Sequence, residues 1–249
     1  MKLYVISLKD SQHRRQKADT QLSAANVEYE FFDAVRVDNG IEGYFDSYDE
    51  EQYLINCGRV AATGEIGCYA SHLSLWKKCV ELNQPIVIME DDFCIEDDFS
   101  AAILEVEKLI GEYGFIRLQT EFRGKKIKSK DVSGFTLYYY TKMPHSLMCY
   151  AINPNVAQAL IDSSKKLTAP VDVVIKKIWL HQIPMFGLAP YPVRDCEAEN
   201  ITTIQGRVSA KKSNFIKIKR FLTKAGWVFK RLKHNHKQIK QLKKAGLIN

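Results

Sequence analysis

The sequence predicts an α/β protein with a mainly parallel sheet. Short apolar runs of strand length, Pro85-Ile86-Val87-Ile88-Met89 the clearest, alternate with longer segments that read as helices. That apolar run stops abruptly at three acids, Glu90, Asp91 and Asp92. A buried strand delivers the residues after it to the carboxyl edge of the sheet, where such folds bind ligands. The 249 residues contain no internal repeat and suffice for one α/β domain or two small ones.

The elements come in this order. Lys2 to Leu8 is a strand, and Ser11 to Ala25 a helix with Ser11 as its N-cap. Glu28 to Phe32 is a second strand. Asp38 to Cys57 is acidic and tyrosine-rich, and is expected to be an irregular mobile loop. Thr63 caps the next helix, with Glu65 in its first turn suiting the positive end of the dipole. Ala101 to Tyr113 is helical, Phe115 to Leu118 a buried strand, Arg123 to Lys130 a basic surface loop, and Phe135 to Tyr140 a strand. Asn153-Pro154 opens a further helix, a capping residue followed by proline at the first helical position.

Charge divides the chain. The net +7 conceals a segment, residues 211 to 249, with 13 Lys/Arg and no acid; the 210 residues before it hold 23 basic and 29 acidic residues, a net −6. A boundary is therefore expected near Ser209, with units 1–210 and 211–249. Within the tail, Phe215, Ile218, Leu222, Ala225, Phe229 and Leu232 recur at helical spacing, and most lysines and arginines lie off that stripe. Such a helix suits the interface of an anionic membrane, at about 1 kcal/mol per basic residue near the surface, or else packs on its own domain. The six cysteines form no CxxC pair and no zinc-type spacing, so they are expected to be reduced, mostly buried thiols of a cytosolic protein. No run approaches the roughly 20 apolar residues of a membrane span.

Three adjacent carboxylates repel one another, and a hard divalent cation such as Mg²⁺ or Mn²⁺ compensates them, commonly together with substrate phosphates. The bland alternative is a solvated acidic turn, since Glu96, Asp97 and Asp98 continue the acidity. Arg14 and Arg15 suit a diphosphate, because guanidinium matches phosphate oxygens bidentately, or else form a solvated helix face.

Several segments, in order, resemble glycosyltransferase family 25, the lipooligosaccharide galactosyl- and glucosyltransferases and their collagen-modifying relatives. They are Tyr4-Val5-Ile6-Ser7-Leu8 with Arg14-Arg15; Phe31-Phe32-Asp33-Ala34-Val35; Gly64-Glu65-Ile66-Gly67-Cys68 with Ser71-His72 and Trp76; Glu90-Asp91-Asp92; Cys149-Tyr150-Ala151-Ile152; and Pro170-Val171-Asp172. The resemblance covers roughly residues 2 to 205. It implies a GT-A-like, Rossmann-type nucleotide-binding domain and an inverting, metal-dependent hexose transfer from a UDP-sugar, galactose ahead of glucose, to a lipooligosaccharide core. In that role Asp92 is the direct ligand of Mn²⁺ or Mg²⁺. Glu90 faces the ribose or a metal-bound water, and Asp91 lies between them. Ile6, Ser7, Leu8 and Ala34 line the nucleotide, and Arg14 and Arg15 hold the diphosphate. The general base that inversion requires is Asp172, which alternatively only caps a helix; Glu65 is the second choice. His72 is expected to be structural, Trp76 to be core, and His145 and His181 lack the spacing of metal ligands.

The implied protein is peripheral on the cytoplasmic face of the bacterial inner membrane and binds no nucleic acid. Two other classes stay open on sequence alone: a nucleic-acid-binding protein using the basic tail, which no recognised module accompanies, and a catalytically silent scaffold, against which the intact acidic triplet argues.

Overall fold

The computed structural model describes residues 1–38, 40–121, 123–196 and 214–248. The chain opens with β1 (Lys2–Ser7), buried from Leu3 onward, then α1 (Gln12–Ala24) and β2 (Glu30–Asp33). Ser11 occupies the N-cap of α1, but its side chain makes no capping hydrogen bond. The segment expected to be an irregular loop holds β3 (Ser47–Tyr48) and α2 (Glu50–Cys57). Asp49 starts α2 by accepting the Gln52 N–H at 2.9 Å, and Gly58 ends it at φ 81°, a conformation glycine takes without strain. Next comes α3 (Thr63–Leu82), in which Thr63 is the first helical residue and Ala62 the cap; Glu65 reaches back to accept the Ala62 N–H at 3.3 Å.

Then come β4 (Ile86–Glu90), β5 (Phe93–Ile95), α4 (Phe99–Tyr113) and β6 (Phe115–Arg117). The basic stretch expected to be a loop is instead largely β7 (Lys125–Val132), a hairpin partner of β8 (Phe135–Lys142). Ser133 and Gly134, at φ 46° and 86°, supply the turn such a hairpin needs. The chain continues through β9 (Cys149–Ile152), α5 (Pro154–Asp162), β10 (Lys166–Leu167), α6 (Val171–Ile175), α7 (Ile178–His181), β11 (Phe186–Ala189), β12 (Val193–Asp195) and α8 (Asn214–Lys244). Asn153 caps α5 as expected, accepting the Val156 N–H at 3.0 Å.

The central sheet has eight strands in the order β2-β1-β4-β9-β6-β11-β8-β7. Its pairings make six strands run in one direction and reverse only β9 and β8. The carboxyl ends of β2, β1 and β4 therefore lie side by side. Alternate residues feed two cores: Tyr4, Ile6 and Ile88 face Trp76 of α3, whereas Leu3, Val5, Val87 and Met89 face Phe99 and Val106 of α4.

Two expectations need correction or qualification. Cys94 and Cys196 form a disulfide, because the antiparallel β5–β12 pair brings their Cα atoms to 5.2 Å across a sequence separation of 102. The inference of six reduced thiols fails for this pair; Cys57, Cys68, Cys79 and Cys149 are free. The expected boundary between residues 210 and 211 lies outside the described residues. Beyond it, α8 packs against α2 and α7. Leu242 and Ile248 enter the core, and Gln238 accepts from the Tyr139 hydroxyl at 2.6 Å. The apolar stripe points the other way: Phe221 and Phe229 are 72% and 70% exposed, and Phe215, Ile218, Leu222 and Leu232 are also exposed. Among the described residues no helix is long and apolar enough to cross a membrane.

Candidate active site

Two clefts open at the carboxyl edge and share a wall formed by Cys68, Glu90 and Asp92. The first, about 640 Å³, lies over the ends of β1, β2 and β4 and is lined by Ile6, Ser7, Leu8, Arg14, Ala34 and Asp91, among others. The second, about 560 Å³, runs between α2, α3, α6 and α8.

Strand register builds the first cleft. β1 pairs with β2 and β4, so Ser7 stands beside Asp33 and Ile6 beside Glu90. Ser7 Oγ donates to Asp91 Oδ2 at 2.6 Å, and Arg14 Nη1 donates to Asp91 Oδ1 at 2.9 Å. Both Asp91 oxygens are thus occupied within the protein. Arg15, expected beside Arg14, does not line the cleft. It donates to the carbonyls of Leu8 and Ser7, pairs with Asp33 and covers the Phe31 ring, so it braces the β1–β2 exit. Gly67 lets α3 approach that exit, since a Cβ there would lie 2.5 Å from the Val35 carbonyl oxygen. One turn later Ser71 accepts the Val35 N–H at 2.8 Å. The glycine and serine of the Gly64–Trp76 motif therefore fix the loop that carries Ala34.

Asp92 is the least compensated of the three acids ending β4. Among the described residues its Oδ1 is buried without a hydrogen-bond partner. Burial first, then the charges of Glu90 and Asp91, push its pKa up to about 7 against the opposing pull of Arg14. Glu90 is held from behind. Trp76 Nε1 donates to the Tyr150 hydroxyl at 2.8 Å, that hydroxyl meets His72 Nδ1 at 2.9 Å, and His72 Nε2 meets Glu90 at 3.1 Å. A carboxylate only accepts, so Nε2 carries the proton and Nδ1 accepts from Tyr150. His72 is structural and Trp76 core, as expected. The Cys68 thiol also points at Glu90, at 3.7 Å, and burial followed by the Glu90 charge raises its pKa well above the ordinary value.

The second cleft holds both candidate bases. Asp172 sits in the first turn of α6, makes no cap and pairs with Lys176 at 2.8 Å. Glu65 is tied up: Arg59 grips both its oxygens, and Tyr53 donates to it at 3.1 Å. Burial works against its charge, but these partners outweigh burial and hold the carboxyl below its usual range. His145 lies beside Lys176 Nζ at 2.6 Å. His181 is bound to the Ile175 carbonyl and the Ile183 N–H, with burial driving its pKa down to about 4. Neither belongs to the metal-compatible group Cys68–His72–Glu90, whose ligand atoms lie within 4.8 Å of one another.

Sequence reasoning missed Asn56, Arg59, Arg220 and Lys224 on the second cleft. No local pattern announces them; they meet because α8 packs on α2.

The fold and the clefts define an α/β protein with two adjoining clefts at the carboxyl edge of its sheet. The description "Glycosyltransferase family 25 (LPS biosynthesis protein)" belongs to the family model that matches residues 1–175, and the chain is a member of that family. The lipooligosaccharide biosynthesis protein lic2B of Haemophilus influenzae is 30% identical over 145 residues, 53% of this chain and 51% of that one. A procollagen galactosyltransferase 1-B of Xenopus laevis is 29% identical over 126 residues, 43% of this chain and 19% of that one. The chain thus spans about half the length of the first relative and a fifth of the second. Among solved structures, the STIV protein A197 is similar over 75% of this chain and 80% of its own, at 10% identity and a TM-score of 0.38.

Proposed function

We propose that the chain is a metal-dependent, inverting hexosyltransferase that moves galactose, ahead of glucose, from a UDP-sugar to a lipooligosaccharide-type acceptor. The observation that carries this reading is the meeting of two clefts at Glu90 and Asp92. One cleft suits the donor and the other the acceptor, so the bonds broken and made lie at the shared wall. Family membership supports the transfer, and the names of the Haemophilus and Xenopus relatives support the acceptor class and the sugar.

The donor set fits a hard cation. Among the described residues Asp92 Oδ1 is a buried carboxylate oxygen without a hydrogen-bond partner, and Glu90 stands next to it. These carboxylates line the first cleft together with the Cys68 thiol, which burial keeps protonated and so a poor ligand. Asp92 and Glu90 would hold Mn²⁺ or Mg²⁺, which when bound supplies positive charge to a departing diphosphate. Asp91, fixed by Ser7 and Arg14, keeps Arg14 at the mouth of the donor cleft, while Ser7, Leu8 and Ala34 flank the nucleotide. Asp172, across the shared wall, takes the proton of the acceptor hydroxyl. Glu65 is the poorer base because Arg59 occupies both its oxygens and Tyr53 donates to it as well, whereas Lys176 holds Asp172 through one oxygen.

The reading includes a GT-A-like nucleotide domain and peripheral attachment to the cytoplasmic face of an inner membrane. The exposed apolar stripe of α8, flanked by lysines and arginines, supports the attachment. A screen of UDP-hexoses against truncated lipooligosaccharide acceptors, with Mn²⁺, with Mg²⁺ and with chelator, tests the whole reading by mass spectrometry. Metal-dependent transfer of one hexose is expected. UDP-sugar binding with neither transfer nor hydrolysis would make the chain a silent scaffold.

A further inference from the structure

The second cleft carries a charge pattern that hexose transfer alone does not use. Its lining combines acids, Glu90 and Asp92 from β4 and its exit and Asp172 from α6, with cations, Arg59 from the α2 exit and Arg220 and Lys224 from α8. Some of these charges cancel in place, Arg59 against Glu65 and Asp172 against Lys176. Arg220 and Lys224 do not cancel. Arg220 Nη1 donates to the neutral carbonyls of Leu54 and Ile55 at 2.9 and 3.1 Å, which satisfies the end of α2 but not the guanidinium charge. The Lys224 ammonium rests 3.7 Å from the centroid of the Trp227 ring. Lys177, itself almost fully buried, approaches the same ring at 4.5 Å. Among the described residues none of these three cations has an acidic partner. Desolvation lowers the pKa of both lysines, more at buried Lys177 than at the more exposed Lys224; Cys57 opposes the fall, and neighbouring cations add to it, Arg220 and Lys176 for Lys224, Lys224 and Lys230 for Lys177. Unmatched positive charge on and just behind the wall of a cleft calls for an anion from outside.

We propose that the second cleft takes an acceptor sugar bearing an anionic substituent, a phosphate or a carboxylate, which docks against Arg220 and Lys224 while its reacting hydroxyl lies at Asp172. This rests on the transfer reading above and adds the chemical class of the acceptor. A guanidinium and an ammonium together match an oxyanion, the first by its planar fork and the second as a point charge. Glu90 and Asp92, which line the same cleft from β4 and its exit, repel the same group, so the anion is directed to the α8 cations, and a volume of about 560 Å³ accommodates a substituted sugar.

Calorimetric titrations of glucose 6-phosphate, glucuronate and glucose into the full chain, with and without saturating UDP, test the proposal. The better of the two anionic sugars is expected to bind about tenfold or more tightly than glucose, the worth of one charge-assisted hydrogen bond. Arg220→Gln and Lys224→Gln should each remove most of that preference. Because Arg220 also supports α2, Lys224→Gln is the decisive variant: among the described residues the Lys224 ammonium makes no hydrogen bond or ion pair and rests on the Trp227 ring. Equal binding of all three sugars, or full preference retained in Lys224→Gln, overturns the proposal. A wild-type chain that ignores UDP but still prefers the anions refutes the transfer reading and leaves the cation pair standing.

Discussion

The two clefts share Cys68, Glu90 and Asp92 but are assembled in different ways. The first is made mostly of strand ends and the residues just past them, completed by Ser11 and Arg14 at the start of α1 and Thr63, Gly64 and Cys68 of α3, all between Ile6 and Asp92. The second gathers α2, the start of α3, the approach to β9, α6 and α8, from Asn56 to Lys224. In the first, a residue's place is dictated by register: once β1 pairs with β2 and β4, Ser7, Asp33 and Glu90 have nowhere else to be. In the second, a residue's place depends on which helix packs on which, a property of side chains far apart in sequence. A site at strand ends is thus encoded locally, and a site between helices is encoded by the whole core.

Donor chemistry belongs to the first cleft and acceptor chemistry to the second in the proposed reaction, and the sharpest way to break that contrast is at the shared wall. Asp92→Asn is expected to lower kcat/KM roughly a hundredfold or more, the usual cost of losing a preorganised electrostatic group, with the circular dichroism unchanged. Near-normal transfer by this variant, or by the wild type in excess chelator, would remove the metal from the proposal.

Asp172→Asn should lower turnover by about a hundredfold, at the low end of what a general base contributes, and leave UDP affinity as it was. Glu65→Gln should behave differently, chiefly by destabilising the chain, because it leaves Arg59 without its partner in a buried setting. If Asp172→Asn weakens UDP binding and spares turnover at saturation, the second cleft is not where the acceptor reacts.

Legibility in the sequence divides along the same line. The β1 and β4 strands, the acidic terminus, Arg14, the Gly67–Ser71 clamp region and the Asn153 cap were legible because each is a short pattern with a local cause. The α2 helix was missed because Asp49 and Gly58, its two caps, sit in a tyrosine-rich acidic stretch that looks like a loop. The β7 strand was missed because lysines on a hairpin hide its alternation. The Cys94–Cys196 pair and the Arg220–Lys224 wall depend on contacts across about a hundred residues or more, which no window reveals. Arg15 was misjudged for a subtler reason: beside Arg14 in sequence, it points a helical step away, onto Ser7, Leu8 and Asp33.

The helix α8 connects the second cleft to the exterior. At 3.6 residues per turn, Arg220, Lys224 and Trp227 share one face, the stripe of Ile218, Leu222 and Phe229 takes the opposite one, and exposed Phe221 borders that stripe. One helix therefore lines the second cleft and offers an apolar surface to the exterior. Changing Phe221 and Phe229 together to Gln should weaken partition onto anionic vesicles about tenfold, since each ring contributes about 1.5–3 kcal/mol when fully buried and less at an interface. Salt should weaken the wild-type binding further by screening the basic flank. Substitution is a cleaner test than truncation, because Leu242 and Ile248 belong to the core. Binding that survives both substitutions would assign the stripe to another partner.

The smallest effect expected concerns the charge behind the second cleft. Lys177 is nearly buried, and burial lowers its pKa to about 8, with Lys224 and Lys230 adding to the fall and Cys57 opposing it. Below pH 8 both the folded and the unfolded chain carry this proton, so the folded state bears the full cost of a buried cation. Between about pH 8 and the ordinary lysine value the unfolded chain keeps the proton while the folded chain has released it, and stability rises with pH. Above pH 10 the buried tyrosines Tyr53, Tyr69 and Tyr139, whose pKa values burial raises, reverse the trend as their unfolded counterparts ionise. The gain from Lys177 is therefore confined to roughly pH 8 to 10 and is on the order of 1–2 kcal/mol. Urea titrations at pH 7 and pH 9.5 should reveal it in the wild type and not in Lys177→Met, which should already be the more stable chain at pH 7. An identical pH dependence in both would mean that the basic side of the second cleft is compensated after all, and the contrast between the two clefts would lose its electrostatic half.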